Sequence, residues 1–414
     1  MSLTSAGTGP GPPRPGGGIR IRVRMRARPI DEPHRAASPL ELLFDLTFVV
    51  AVAAVTARFA HDIAGGHAAA GLLPFLQVFF AVWWAWMNFT WFASSYDTDD
   101  VAYRLLTMVQ MAGVLVLAAG VPAAFDHGDY GAVTFGYLIM RIGLVAQWVR
   151  AGTEDPAGRR TAFRYAAGIG LLQVGWLLRL LLDEAGVLPP SARVPAFAAL
   201  ALLELAVPRR AERAAPTAWH PHHIAERYGL FTIILLGESV LAATRGVAGA
   251  LEKDEISSPF VVIAVSGLVV LFALWWLYFL APAGEGLSDR RHRSYWWGYG
   301  HYCLFSALAA LGAGLEVAVE QSAHEVYASA LAVCYAVAVP LAAFLGTLWL
   351  IHASIVADPL AHPAAVAACV VAVLLLPLAA PRLGAAAVIA AFAAICVLLT
   401  GATIASRRAV PGGG

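Results

Sequence analysis

The feature that most limits what this chain can become is a run of apolar residues, about 18 or more long, that recurs along nearly all of its 414 residues. A helix of that length crosses ~30 Å of hydrocarbon. In lipid each backbone polar group must be bonded within its own segment, so helices are the form such runs take. Composition agrees: 59% of residues are hydrophobic and 13% charged, against ~45–50% and ~25% in ordinary soluble domains. A soluble core has no room for that surplus. The expected fold class is an all-α polytopic membrane protein with about 12 transmembrane helices. They fall at 39–60, 73–94, 102–124, 131–150, 161–182, 190–207, 228–248, 259–281, 296–316, 327–350, 364–380 and 383–404. Only Pro189 and Pro190 mark the break between the fifth and sixth, which makes that pair the least distinct as two crossings.

Basic residues orient the spans. Twenty-one of the 28 Lys and Arg fall on the side of the N-terminus and five on the other, with Arg141 and Arg179 inside spans. The positive-inside rule then places both termini in the cytoplasm. Residues 1–37, rich in Gly, Pro and Arg, show no short apolar core with a small-residue cleavage site, so they do not read as a signal peptide. The alternation of apolar and Arg residues over 19–28 hints at a strand; the reading adopted is a disordered basic arm against anionic headgroups.

The two halves look duplicated. ELLFDLTFVV (41–50) enters the first span and ERYGLFTIIL (226–235) the seventh. At an offset of 185, Glu41 matches Glu226 and Thr47 matches Thr232, and Arg58 and Arg245 close the two spans. Trp83, Trp84 and Trp86 in the next span answer to Trp275, Trp276 and Tyr278. Units with an even number of spans give parallel repeats, and repeat interfaces of transporters often house the substrate path. The expected organisation is a tail (1–37), a first six-helix repeat (38–208), a cytoplasmic linker (209–226), a second repeat (227–405) and a C-terminal tail (406–414).

Ionisable groups inside spans cost ~2.5–3.5 kcal/mol each on insertion scales, so they are expected to face the bundle interior and one another. Glu41 and Asp45, four apart, share one helix face. Glu41 reads either as the mouth of a cation path or as the N-terminal acid of a capping box with Ser38; Asp45, a turn deeper, reads as an intrabundle group. Glu238, eleven residues into its span, lies ~16 Å deep, near the midplane. Arg141 lies at similar depth. A Glu238–Arg141 or Asp45–Arg141 pair is the expected neutralisation, serving either as a register pin or as a relay site. Asp97, Asp99 and Asp100 with Arg104 form an acidic turn that caps the third span or attracts cations. His301 and His61 read as hydrogen-bonding or proton-relay residues.

Other motifs say less. His220, His222 and His223 have no preset ligand geometry, and no metal or cofactor is expected. Cys303, Cys334, Cys369 and Cys396 fall singly within spans and form no CxxC pair. Gly298-Tyr299-Gly300 lacks the pore helix and TVGYG run of a potassium filter. No HExxH, GxSxG, Walker A or dinucleotide fingerprint stands in a suitable context, so an enzyme is not expected.

The same residues resemble the bacterial low temperature requirement protein A family. Its opening motif is similar to residues 41–50 extending to His61, and its next to WMNFTWF (86–92) followed by Asp97, Asp99, Asp100 and Arg104. Tyr137 and Arg141 also match, as does HIAERYGLFTIILLGES (223–239), which brings in His223, Glu226, Arg227 and Glu238; His301 in Tyr-Gly-His looks family-like too. The resemblance covers residues 38–405, with Leu43 where the family pattern has an aromatic residue. It implies a multi-pass bacterial inner-membrane protein named for a cold-growth phenotype, with no substrate attached. The function expected is transport of a small solute or cation, proton-coupled or not, past Asp45, Arg141 and Glu238. The alternative is a membrane-stress or lipid-interacting scaffold. Membrane lipids and the solute are the expected partners; nucleic acid is not.

Overall fold

The computed structural model describes residues 21–30, 32, 35–252, 257–323, 326–356 and 361–409. Among them all regular structure is helical, and eleven stretches are long and apolar enough to cross a membrane. The first half holds α1 (Pro39–Ala64), α2 (Ala68–Tyr96), α3 (Val101–Ala119), the short α4 (Val121–His127), α5 (Gly131–Glu154), α6 (Arg159–Glu184) and α7 (Pro190–Ala211). The second holds α8 (Pro221–Glu252), α9 (Ser258–Phe279), the short α10 (Ala283–Asp289), α11 (Ser294–Ala323), α12 (Ala330–Ile355), α13 (Pro363–Leu375) and α14 (Ala380–Ala409).

Ten expected spans each meet one helical stretch; the last two do not separate. Residues 363–407 form one apolar stretch, broken only by a 3-10 turn at Leu376–Ala379 and by Gly384, whose φ of 78° lies outside the helical region. No polar loop intervenes, because Arg382 is the one charged residue between Pro363 and Arg407. The doubtful fifth and sixth spans are two helices, reversed where Gly186 takes a φ of 68° and Pro190 starts α7.

Local signals set the helix starts. Ser38 accepts from the Glu41 amide and Glu41 accepts from the Ser38 amide at 2.7 Å, a complete capping box. Asp100 accepts from the Tyr103 amide at 2.9 Å and starts α3. Glycines set how closely helices cross: a Cβ on Gly136 of α5 would stand 2.3 Å from the Leu117 amide nitrogen of α3. Small residues permit such backbone approach where lipid gives apolar faces no reason to leave it. The α11 stretch is the hub and is largely buried, whereas α7 buries few of its residues. Leu171, Leu202 and Leu398 stand on the outer surface that hydrocarbon would cover.

The residue matches at an offset of 185 do not share environments. Glu41 is buried and Glu226 exposed, while Trp83, Trp84 and Trp86 are buried and Trp275 and Trp276 stand about half exposed. Inward faces agree instead two residues earlier: Phe44 with Arg227, Phe48 with Phe231, Val52 with Leu235. Two residues turn a helix by ~200°, enough to exchange its faces.

The arm preceding α1 is seated over its described part. Met25 is fully buried, and the Val23 and Met25 amides donate to Asp100 (2.8 Å) and Glu154 (2.6 Å). Arg28 donates its backbone N–H to Ser95 O at 3.0 Å. Over 21–30 downstream carboxylates thus bind the strap's backbone; residues 1–20, 31, 33 and 34 of the tail expected to be disordered lie outside the described residues. We call this end of the bundle the strap side and the opposite end the far side.

Candidate functional site

Among the described residues, two buried clusters bring charged side chains together. The first joins the halves. Asp45 and Glu41, one turn apart on α1, face His223 and Arg227, one turn apart on α8. Arg227 forks onto Asp45, Nη2 to Oδ1 at 2.6 Å and Nε to Oδ2 at 3.0 Å, and its Nη1 reaches Glu41 Oε1 at 2.8 Å. His223 Nε2 lies 3.1 Å from the same Glu41 oxygen, and the Trp86 indole donates to Asp45 at 2.7 Å. All four charged or titratable partners are at most 1% exposed. The planar guanidinium grips Asp45 with two parallel N–H groups while a third reaches Glu41, a fork that a lysine's single nitrogen does not reproduce. Arg35, just before α1, lies 3.9 Å from Glu41 and 3.6 Å from Asp97, tying the cluster to the acidic turn. Glu41 thus forms the capping box with one oxygen and pairs with Arg227 through the other.

The second cluster lies within the first half around Glu204 of α7. The Trp84 indole donates to its Oε2 at 2.7 Å; Tyr137 (3.2 Å), Gln173 (3.3 Å) and Trp176 (3.2 Å) donate to its Oε1. Arg141 Nη2 stands 3.7 Å from Oε2, donates to the Tyr137 hydroxyl and lies over that ring at 4.4 Å. Arg141 therefore turns to Glu204, and Asp45 to Arg227; the expected Arg141 pairings with Glu238 or Asp45 are not made. The reason is topological: α5 packs among α2, α3 and α6, whereas α1 packs on α8. Glu238 is buried in α8 on the same inward face as Phe231 and Leu235.

At the strap side, Asp100 does more than cap. Arg150 grips it at 2.8 and 2.5 Å while giving Nη2 to the Val23 carbonyl. Burial opposes ionisation of Asp100, but the bonds from Arg150 and from the Val23 and Tyr103 amides overcome it and hold the carboxyl at about 2. Asp97 goes the other way: burial, then the charge of Glu41, pushes it up to about 6 against Arg35 and Arg28. Asp99 sits at φ 48° and pairs with Arg104, both exposed, at 2.8 Å. Glu226 is exposed and joins neither cluster.

The histidines do not converge. His223 faces Glu41, while His220 accepts from the His223 amide at 3.3 Å and its ring lies 5.9 Å from that of His222. His301 is fully buried between Trp297 O, 2.8 Å from Nδ1, and the Tyr278 hydroxyl, 3.1 Å from Nε2. Since a carbonyl only accepts, Nδ1 carries the hydrogen and Tyr278 donates to Nε2.

Two cavities flank the Glu204 cluster. One opens at the strap side between α2, α5, α6, α7 and α11; Trp84, Trp91, Trp148, Tyr165, Tyr295 and Glu212 line it. The other lies toward the far side and is lined by Gln77, Phe80, Tyr130, Tyr137, Trp176 and Arg179. Trp84 walls the first and Tyr137 and Trp176 the second, and all three donate to Glu204. Sequence reasoning missed Glu204, although a lone acid inside the apolar run 190–207 met the criterion that singled out Glu238. It also counted Arg227 among loop charges.

A protein of Rhizobium meliloti (strain 1021), described as Uncharacterized protein RA0937, is similar to this chain, 31% identical over 261 residues. The match takes in 59% of this chain and 58% of that protein, so the chain spans a little over half the length of the curated relative it matches. The family described as Bacterial low temperature requirement A protein (LtrA) matches residues 36–400, nearly the whole length, and the chain belongs to that family.

Proposed function

We propose that the protein transports a small cation across the bacterial inner membrane along the line from the strap-side cavity through Glu204 to the far-side cavity. The observation that carries this reading is the single carboxylate that receives wall residues of both cavities. Moving Trp84 would open one side and moving Tyr137 or Trp176 the other, each at the cost of a bond to Glu204, which suits alternating access. Arg141 holds the carboxylate in place between turnovers. The α1–α8 cluster fastens the halves together beside this path, in place of the route past Asp45 and Glu238 that the sequence suggested.

In this reading the chain crosses twelve times, with both ends in the cytoplasm. Two contacts support the count: Arg290 donates to Ser354 O and Val356 O at the end of α12, and Arg407 donates to Leu280 O at the end of α9. Residues 363–407 then leave and return at one face. The 13 residues of α13 and the 3-10 turn span ~28 Å, about one hydrocarbon thickness. The 21-to-5 arginine and lysine bias supports the orientation. Parallel duplication of the halves is kept in this reading, in the register that aligns their inward faces.

The test is cation-driven current in proteoliposomes. Wild type should respond to a cation jump, and Glu204→Gln should lose the response at equal incorporation. No current from wild type for any cation in a panel spanning alkali metals and alkylammonium ions would end the transport reading. A second reading, a cold-stress scaffold, draws on the fact that Asp45, Glu41 and Glu204 already have cationic partners and so could serve packing alone. Equal cold-growth rescue by Glu204→Gln and wild type would favour it.

A further inference from the structure

We infer that the strap-side cavity is a binding site for a small alkylammonium cation, with Glu212 as its counter-charge and the surrounding rings as its walls. Glu212 closes the C-terminal end of α7. A carboxylate there gains nothing as a cap, because the negative end of the helix dipole repels it. It accepts from the Tyr295 hydroxyl at 2.6 Å, from Tyr165 at 3.2 Å and from the Thr217 hydroxyl. These donors are neutral: they satisfy the oxygens without cancelling the charge. Among the described residues no cation lies within 4 Å of Glu212, unlike Glu41, Asp45 and Glu204. The nearby bases are committed or outward. Arg291 lies over the Trp219 ring at 3.8 Å and donates to Trp219 O at 2.6 Å, and Arg209 and Arg210 are exposed on the last turn.

The rest of the lining defines the class of cation. Trp84, Trp91 and Trp148 contribute indole surfaces, whose ring faces are negative and attract organic cations. The exposed lining is mostly apolar, which suits methyl groups better than an inorganic cation that demands a full shell of oxygens. An ammonium carrying methyl groups matches both demands, with methyls on the rings and charge toward Glu212. Trp84 at the inner end of the cavity also binds Glu204, so an occupant here stands one ring away from the central carboxylate. The assignment rests on the transport reading for its purpose but not for its test.

The full-length protein, purified in detergent, is titrated with choline, tetramethylammonium and methylammonium while its tryptophan fluorescence is followed. 3,3-Dimethylbutan-1-ol serves as the uncharged isostere of choline. The expected result is a saturable change with a methylated ammonium, none with the alcohol at equal concentration, and at least a tenfold weaker response in Glu212→Gln. Tyr295→Phe, which removes one donor and no charge, should bind a few-fold more weakly; it carries the test if Glu212→Gln does not fold. Glu226→Gln, exposed elsewhere, should bind as wild type does. Equal responses to choline and the alcohol, saturation by sodium or potassium instead, or no saturable response from a folded protein would each overturn the assignment. Binding without flux would remove the transport reading alone; flux of an alkali cation without ammonium binding would remove this assignment alone.

Discussion

Replacing Arg227 with methionine isolates the energetic role of the cluster between α1 and α8. Methionine keeps most of the stem volume and removes the fork that reaches Asp45 at 2.6 and 3.0 Å and Glu41 at 2.8 Å. At an effective dielectric of ~20, each charge pair ~4 Å apart is worth ~4 kcal/mol. Removing one member of a buried pair costs ~3–5 kcal/mol, because the other charge remains without solvent or partner. Here two carboxylates are stranded, and His223 and Arg35 at 3.1 and 3.9 Å compensate only Glu41. The expected loss is thus about 5 kcal/mol, read as unfolding free energy by SDS titration in mixed micelles. It should be insensitive to salt, since screening does not reach a fully buried site. The triple variant Glu41→Gln, Asp45→Asn, Arg227→Met should regain most of the loss, because neutral groups of similar shape often replace a buried ion pair without penalty. Wild-type stability in Arg227→Met, or a triple variant no better than the single one, would refute the reasoning.

Asp97 predicts a pH dependence: its pKa of about 6, against an ordinary 3.8, corresponds to about 3 kcal/mol. The folded protein holds that proton more tightly than the unfolded chain, so the contribution is full below about pH 4 and lost as pH rises through 6. Asp97→Asn should therefore gain stability over wild type between pH 4 and 6 and keep the gain at pH 7; a flat difference in melting temperature across that range would contradict it. Arg150→Met should cut the link from Asp100 to the Val23 carbonyl and leave only the Val23 amide on Asp100, with faster proteolysis near residues 21–30 and little change in the bundle's melting. Gly136→Ala should lower folded yield sharply, since its Cβ would meet the Leu117 amide nitrogen at 2.3 Å, while Gly170→Ala, with nothing within 4 Å, should be neutral or slightly stabilising.

Much of the fold was legible because lipid imposes one rule on length and polarity. The capping box at Ser38 and Glu41 and the start of α3 at Asp100 were local, and local signals read well. Partners were not local. Arg141 carries no mark that prefers Glu204 over Glu238; the choice was made by the packing of α5 on α6 and of α6 on α7. Arg227 near a helix end could as well have snorkelled to headgroups, and the two acids of α1 drew it inward. Glu204 hid in a helix whose other faces are mostly exposed, so one inward residue left little periodic trace. The strap's alternating Arg pattern was visible, but its dock is made from carboxylates 77 and 129 residues downstream.

That separation in sequence has a consequence for biosynthesis. Chains emerge N-terminus first, so α1 reaches the membrane carrying Glu41 and Asp45 while Arg227, 182 residues behind Asp45, has not yet been translated. Until α8 arrives those acids must stay at the headgroup level or be sheltered by the insertion machinery. Assembly of the halves is then the event that draws α1 to its final depth. A chain halted before α8 should leave α1 shallow, and ribosomes that pause there would hold the nascent protein in that waiting state.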